Sequence, residues 1–361
     1  MNRYNRHIIL SEIGPEGQKK ISNAKVLVIG AGGLGCPVLQ YLAAAGVGTL
    51  GIIDFDTVEI HNLQRQILFG SSSLGQNKAV AARARLEDLN DSISIQAYPE
   101  ALTYKNALKL FKDYDIIVDG SDNFDTRYLV NDACVITNKP LVYGAIYKFE
   151  GQVSVFNYNE GPSYRCLFPE PPKTYEVPNC DSIGVLGVLP GIIGTMQANE
   201  VLKLILNLGE LLSGKLLCYH ALNGNLHHLK ITRNNSVIQK ILDEADSFRS
   251  KSINLSCETD DIRTSIENLD FSEALQFLDV RNPNELPKIE NSEVIQIPLN
   301  EIESKANTLD TSKKTLVFCQ SGVRSLAAVR LLKIMGFQNC YALKENAGEI
   351  QKILKKQSYV R

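Results

Sequence analysis

Three groups of residues combine type and spacing in a way that could do chemistry. Gly30, Gly32 and Gly35 stand in GxGxxG spacing. The first glycine permits a tight turn, the second lets a phosphate approach the backbone, and the third lets helix and strand pack closely. Asp54 follows 24 residues after Gly30, where a carboxylate can bind ribose hydroxyls. Asn62, Arg65 and Lys78 come next, and two cations there suit a triphosphate better than a nicotinamide. No GxxxxGK[ST] loop occurs, so the pattern is not a P-loop site. The second group is Asp119-Gly-Ser-Asp122-Asn123. Asp122 is a candidate magnesium ligand, since Mg²⁺ takes one or two carboxylates plus phosphate oxygens; the alternative is a helix cap at the start of residues 126–133. The third group is Cys319-Gln-Ser-Gly-Val-Arg324-Ser. Cys319 lies on a short loop ahead of a helix, with Arg324 adding a cation, a setting that lowers a thiol's pKa and makes it a nucleophile. The alternative is a buried strand-end cysteine.

These groups need elements to hold them. Residues 26–29 are an apolar β-branched run, the glycines follow, and residues 37–45 are apolar-periodic: strand, turn, helix. Strands are predicted over 49–53, 94–97, 115–119, 140–146 and 151–156, with helices over 77–89 and 105–111. The opening 20 residues predict a short helix. Residues 162–178 hold five of the thirteen prolines, and proline fixes φ and removes a donor, so an extended crossing segment is expected. Cys180 sits on that segment, just ahead of a proline-initiated helix. Residues 222–225 read as a hairpin turn. From 233 to 262 the sequence turns polar and charged, which predicts a linker or a loosely packed domain end. Beyond it, strands over 277–280, 293–297 and 315–318 and a helix over 326–335 describe a second, smaller α/β unit.

Composition excludes several classes. The 361 residues carry a net charge of −2, with 44% hydrophobic and 22% charged residues. That leaves no basic face for nucleic acid. No run of about 18 apolar residues could span a membrane, and the first residues have no long apolar core of the secretory kind. The eight cysteines are scattered without any CxxC, which points to a reduced, cytoplasmic setting. Cys36, Cys134, Cys218, Cys257 and Cys340 read as small buried hydrophobes.

The motifs RYNRHIIL, GAGGLGCP, DFDTVEIHNLQRQ, GQNKA, DGSDN and CDSIGVLGVLPGIIG, in that order, resemble the adenylating domain of the MoeB/ThiF and ubiquitin-activating type. LDVRNPNE and CQSGVRS resemble a rhodanese domain. The resemblance implies a Rossmann-like α/β domain with a mixed sheet over 1–245, a linker over 246–262, and a small α/β rhodanese domain over 263–361. It implies ATP-dependent adenylation of the C-terminal glycine of a ubiquitin-like sulfur carrier with a Gly-Gly end. It assigns Gly33 and its neighbours to the phosphates and Asp54 to the ribose. His61, Asn62, Leu63, Gln64, Arg65 and Lys78 would surround the phosphates, with Asp122 and Asn123 closing the site with Mg²⁺. Arg6 would reach the ATP of the opposite subunit, which implies a homodimer. Cys180 matches a cysteine that bonds to the carrier in some members. Cys319 would carry a persulfide, loaded by a donor such as a cysteine desulfurase, and yield a thiocarboxylate. Many relatives hold zinc through two CxxC pairs; here these regions read Ser163-Tyr-Arg-Cys166 and Arg233-Asn-Asn-Ser236, so no zinc is expected. Carriers of molybdopterin, thiamine and tRNA-thiolation pathways share the Gly-Gly end. Two other readings remain: an NAD-linked oxidoreductase, from the glycine pattern and Asp54, and an inactive module that only docks carriers.

Overall fold

The structure is a computed structural model that describes residues 3–172, 184–251, 262–269, 274–289, 291, 294–320 and 322–357. They form two units, one made of residues 3–171 and 184–251, the other of residues 262–357. Cys180 and Cys257 lie outside the described residues.

In the first unit the strands are β1 (Lys25–Ile29), β2 (Thr49–Ile53), β3 (Ser94–Tyr98), β4 (Ile116–Asp119), β5 (Leu141–Tyr147), β6 (Glu150–Phe156), β7 (Lys215–His220) and β8 (Asn225–Lys230). The helices are α1 (Asn5–Ile8), α2 (Gly14–Asn23), α3 (Gly35–Ala45), α4 (Lys78–Leu89), α5 (Ala107–Lys112), α6 (Phe124–Thr137), α7 (Tyr164–Leu167), α8 (Leu189–Leu206) and α9 (Asn235–Asp243). The sheet order is β3-β2-β1-β4-β5-β6-β7-β8. β3 through β5 pair in parallel, and β5 through β8 pair antiparallel. β1 is buried on both faces, which is why its run is apolar without alternation. Val26 and Val28 face a core shared with α3, α4 and α8, whereas Leu27 and Ile29 face one shared with α5 and α6. β2 lies on one side of β1 and β4 on the other, so the order reverses there and a crevice opens at their carboxyl ends.

The second unit has β9 (Arg263–Thr264), β10 (Leu275–Asp279), β11 (Val294–Gln296), β12 (Lys314–Phe318) and β13 (Cys340–Leu343), with α10 (Ile302–Lys305), α11 (Val323–Ile334) and α12 (Ala347–Gln357). Its sheet runs β11-β10-β12-β13-β9, all parallel.

Three expectations differ from this fold, one being that α7 sets a helical turn at Tyr164–Leu167 inside the segment expected to be extended. The opening segment forms two helices, α1 and α2, because Gly14 at φ +59° turns the chain between them. Of the polar stretch over 233–262, residues 252–261 lie outside the described residues, and residues 234–250 are not a loose end: Asn234 caps α9 by accepting from the Ser236 and Val237 N–H groups. Ile238 and Ile241 are buried against Val135, and Phe248 packs edge-on to Tyr104 at 4.9 Å. Apolar residues three apart suffice for a one-sided helix, and the surrounding charges face water.

Candidate functional site

The glycine turn lies where β1 ends. Gly30 has φ +89°, and a Cβ there would stand 3.2 Å from the Gly120 carbonyl oxygen at the end of β4. A Cβ on Gly35 would stand 1.9 Å from the Gly30 oxygen, so the turn and the first residue of α3 can touch only as glycines. Gly33 is pressed by Pro190 of α8 and has the Arg65 side chain beside it, its Cγ 3.7 Å from that position. Gly32 has open space: the nearest atom to its would-be Cβ is Gln66 Nε2 at 3.9 Å. The turn thus leaves one backbone stretch open to a ligand at the positive end of α3.

Asp54 follows the last residue of β2. Its Oδ2 accepts from the Ala31 N–H at 2.8 Å and its Oδ1 from the Asp56 N–H at 2.9 Å. The carboxylate therefore holds the glycine turn as well as facing the crevice, and each oxygen keeps a further lone pair for a hydroxyl. Burial pushes its carboxyl above the usual range, with the Ala31 N–H and Lys78 pulling the other way. Asn77 caps α4 through Val80 and donates to the Asp54 carbonyl. Lys78 follows it, and its Nζ sits 2.9 Å from Asp56 Oδ2 with only 8% of the side chain exposed. The expected cation is in place, and a carboxylate absent from the expected set holds it.

The segment between β2 and α4 divides its expected residues. His61 is exposed and lies 3.2 Å from Glu59. Asn62 is buried and accepts from the Glu59 N–H, closing a single 3-10 turn. Gln64 is exposed, Leu63 half-buried, and Arg65 donates to the His61 carbonyl at 3.2 Å. Gln66 was missed: it is 3% exposed, and its Oε1 has no hydrogen-bond partner. The signal available was a second glutamine in NLQRQ next to the arginine.

At the end of β4 the structure separates two roles that the sequence left open. Asn123 caps α6, accepting from the Thr126 N–H at 2.9 Å, which leaves Asp122 exposed next to it. Asp119 is 1% exposed, accepts from the Ser121 N–H through Oδ1, and leaves Oδ2 without a hydrogen-bond partner among the described residues. Burial raises its pKa. Its carbonyl accepts from Gln197 Nε2 of α8 at 2.8 Å. Gln197 is fully buried and reaches over Gly144, where a Cβ would stand 2.4 Å from the amide. A glutamine inside an otherwise apolar helix face was the signal for it.

Arg6 is exposed on α1. Two residues before it, Tyr4 donates to or accepts from Ser92 and packs where a Cβ on Gly46 would lie, 2.5 Å from its ring. These neighbours mark the amino ends of β2 and β3, so the first turn of the chain is anchored away from its own crevice. At the site of the lost CxxC pairs, Cys166 Sγ accepts from the Ser163 and Asn234 N–H groups, each at 3.3 Å. Hydrogen bonds join the two segments there. Among the described residues, no group of three or more His, Cys, Asp or Glu is arranged to hold a metal ion.

In the second unit Cys319 follows the last residue of β12. Its Sγ accepts from the Gly322 N–H at 3.1 Å and lies 3.7 Å from Ser325 Oγ. It is 1% exposed. Arg324, the cation expected to act on the sulfur, is held by Glu285 with two contacts, the longer at 2.7 Å. Cys36, Cys134 and Cys340 are buried as expected, whereas Cys218, on β7, is only half-buried. Burial lifts Cys36 and Cys340 to about 12 and Cys134 well above the usual thiol value.

Comparison with known proteins places both units. Residues 4–239 match the ThiF family and residues 263–350 match the Rhodanese-like domain. The sulfur carrier protein adenylyltransferase of Thermus thermophilus is 51% identical over 239 residues, 65% of this chain and 88% of that protein. The adenylyltransferase and sulfurtransferase MOCS3 of Xenopus laevis is 39% identical, covering 96% of this chain and 84% of its own. The probable adenylyltransferase/sulfurtransferase MoeZ of Mycobacterium tuberculosis is 40% identical over 94% of this chain and 90% of its own. Among solved structures, E. coli MccB with ATP superposes with a TM-score of 0.59 at 25% identity, over 66% of this chain and 75% of that one.

Proposed function

Since the chain belongs to the ThiF family and carries a rhodanese-like domain in the same polypeptide, we propose that it adenylates the C-terminal glycine of a ubiquitin-like sulfur carrier and then delivers sulfur to it. The observation that carries the reading is the convergence at the β1, β2 and β4 carboxyl ends: an open glycine turn, Asp54, Arg65, Lys78 and Asp122. The relatives' activity displaces the NAD reading, and the intact set of charged groups speaks against an inactive docking module.

A carboxylate must attack the α-phosphate of a polyanion, and like charges repel. Neutralisation and in-line positioning therefore do most of the work. Arg65 lies against Gly33 and can follow the phosphates laid on the turn. Lys78, oriented by Asp56, supplies a fixed positive charge. Asp54 offers its remaining lone pairs to the ribose. Asp122 is exposed and freed from capping by Asn123, which fits a magnesium ion shared between one carboxylate and phosphate oxygens; such an ion would screen phosphate charge. His61 and Gln64 rim the same crevice. Arg6, anchored away from its own crevice, serves the opposite subunit of a homodimer. Pyrophosphate leaves and the carrier becomes an acyl-adenylate. A persulfide on Cys319 then attacks the acyl carbon and AMP leaves, and two thiols of an external reductant, themselves oxidised to a disulfide, cleave the acyl disulfide to free the thiocarboxylate and return Cys319 as its thiolate. Cys180 is a further candidate for a covalent bond to the carrier.

Carrier-dependent ATP–pyrophosphate exchange tests this. Arg65→Ala and Asp122→Ala should each lower the rate about 100-fold or more, and a full rate in either would overturn the assignment. Cys319→Ala should abolish sulfur transfer and leave exchange intact.

A further inference from the structure

The second unit contains an ion pair that the sulfur chemistry above leaves unused. Arg324 closes the loop that begins at Cys319, and its Nη1 and Nη2 meet Glu285 Oε1 and Oε2 at 2.5 and 2.7 Å. The side chains are 14% and 30% exposed. Glu285 also accepts from the Asn282 N–H at 2.9 Å, so its own turn fixes the carboxylate. The contact is of the two-pronged kind in which a guanidinium is oriented and its charge cancelled at close range. Glu285 is held below the usual carboxylate range, first by Arg324. Arg281, on the same segment, is 1% exposed and bonded to Asp279 at 2.9 and 2.7 Å, which opposes its charge although its Nη1 has no hydrogen-bond partner among the described residues. Arg263 comes beside Gly322 but is exposed, where water weakens its pull on an anion.

Among the described residues, the loop around Cys319 therefore offers a thiolate the Gly322 N–H, and each sheltered guanidinium beside it faces a carboxylate. A small dianion needs such a cation unopposed. We infer that Glu285 selects the class of sulfur donor: by occupying Arg324 it turns Cys319 away from thiosulfate-like dianions and toward sulfane sulfur carried as a cysteine persulfide on a peptide or protein. This rests on the persulfide role of Cys319 given above. In the favoured step the Cys319 thiolate attacks the outer sulfur of R–S–SH. The new S–S bond forms as the donor's breaks, the electron pair leaves on R–S⁻, and Cys319 carries –S–SH with the original proton. From thiosulfate the same attack would leave Cys319–S–S⁻ and expel SO₃²⁻, so the site would have to hold two charges on the leaving group.

The test uses the full chain, with cyanide as acceptor and thiocyanate as readout, comparing thiosulfate with glutathione persulfide. In the wild type, glutathione persulfide should be the better donor. Glu285→Gln should lower the KM for thiosulfate about tenfold, the worth of one charged hydrogen bond, with kcat nearly unchanged and the KM for glutathione persulfide unmoved. Adding Arg324→Met should erase the gain. The wild-type preference between the two donors needs no substitution and keeps the inference testable should Glu285→Gln fail to fold. The inference is overturned by a wild type that prefers thiosulfate, by an unchanged KM in Glu285→Gln, or by a gain that survives the double substitution. Failure of every donor to add one sulfur mass to Cys319 would instead bring down the persulfide reading beneath it, while pyrophosphate exchange reports separately on adenylation.

Discussion

Gln197 shows how one side chain can govern a site it does not enter. Its Nε2 bonds the Asp119 carbonyl at 2.8 Å, and Asp119 in turn fixes the Ser121 N–H that leads into Asp122. Gln197→Leu keeps the volume and leaves the buried carbonyl short of a donor, at a cost of about 1–3 kcal/mol. If it positions the Asp122 loop, exchange should lose kcat more than KM, and urea unfolding measured in parallel separates the two effects. Glu285 gives the residue-scale dependence on pH. Its carboxyl is lowered by Arg324 in the fold, so between that lowered value and the ordinary carboxylate range the unfolded chain binds the proton more readily. The stabilisation is present at neutral pH and lost as pH falls through the folded value. Melting of the rhodanese-like unit should drop by about 3 °C more in the wild type than in Glu285→Gln between pH 6 and pH 3.5.

At the scale of elements, the β1–turn–α3 unit has little tolerance for added side-chain atoms. The would-be Cβ of Gly35 meets a backbone oxygen at 1.9 Å, and backbone cannot swing aside as a flexible side chain does. Gly35→Ala should destabilise by about 3 kcal/mol, read from urea unfolding, and should abolish exchange. Gly32 differs, with nothing nearer than 3.9 Å. Gly32→Ala should leave stability almost unchanged and weaken nucleotide binding, so the pair separates packing from ligand approach within one turn.

At the scale of the whole molecule, the anchoring of α1 at the amino ends of the strands bears on assembly. If Arg6 completes the site of the opposite subunit, Arg6→Ala and Arg65→Ala chains are each inactive alone. Mixed and re-equilibrated, they should recover about a quarter of the wild-type exchange rate, because half the dimers are mixed and each has one intact site. No recovery would place Arg6 in its own subunit's site or outside the reaction.

The glycine turn, the strand ends carrying Asp54, Asp119 and Cys319, and the two-unit organisation were legible in the sequence, because period, punctuation and strand-terminal polar residues are local properties of the chain. Which carboxylate holds Lys78, which of Asp122 and Asn123 caps α6, the burial of Gln66 and Gln197, and the capture of Arg324 by Glu285 were decided only in three dimensions. Each depends on groups brought together from separate elements, 39 residues apart for Arg324 and Glu285 and 78 for Gln197 and Asp119. The segment after residue 233 was misread for the same reason: its polar residues describe the face in water, and only Val135 on α6 and Tyr104 ahead of α5 show what Ile238, Ile241 and Phe248 are buried against.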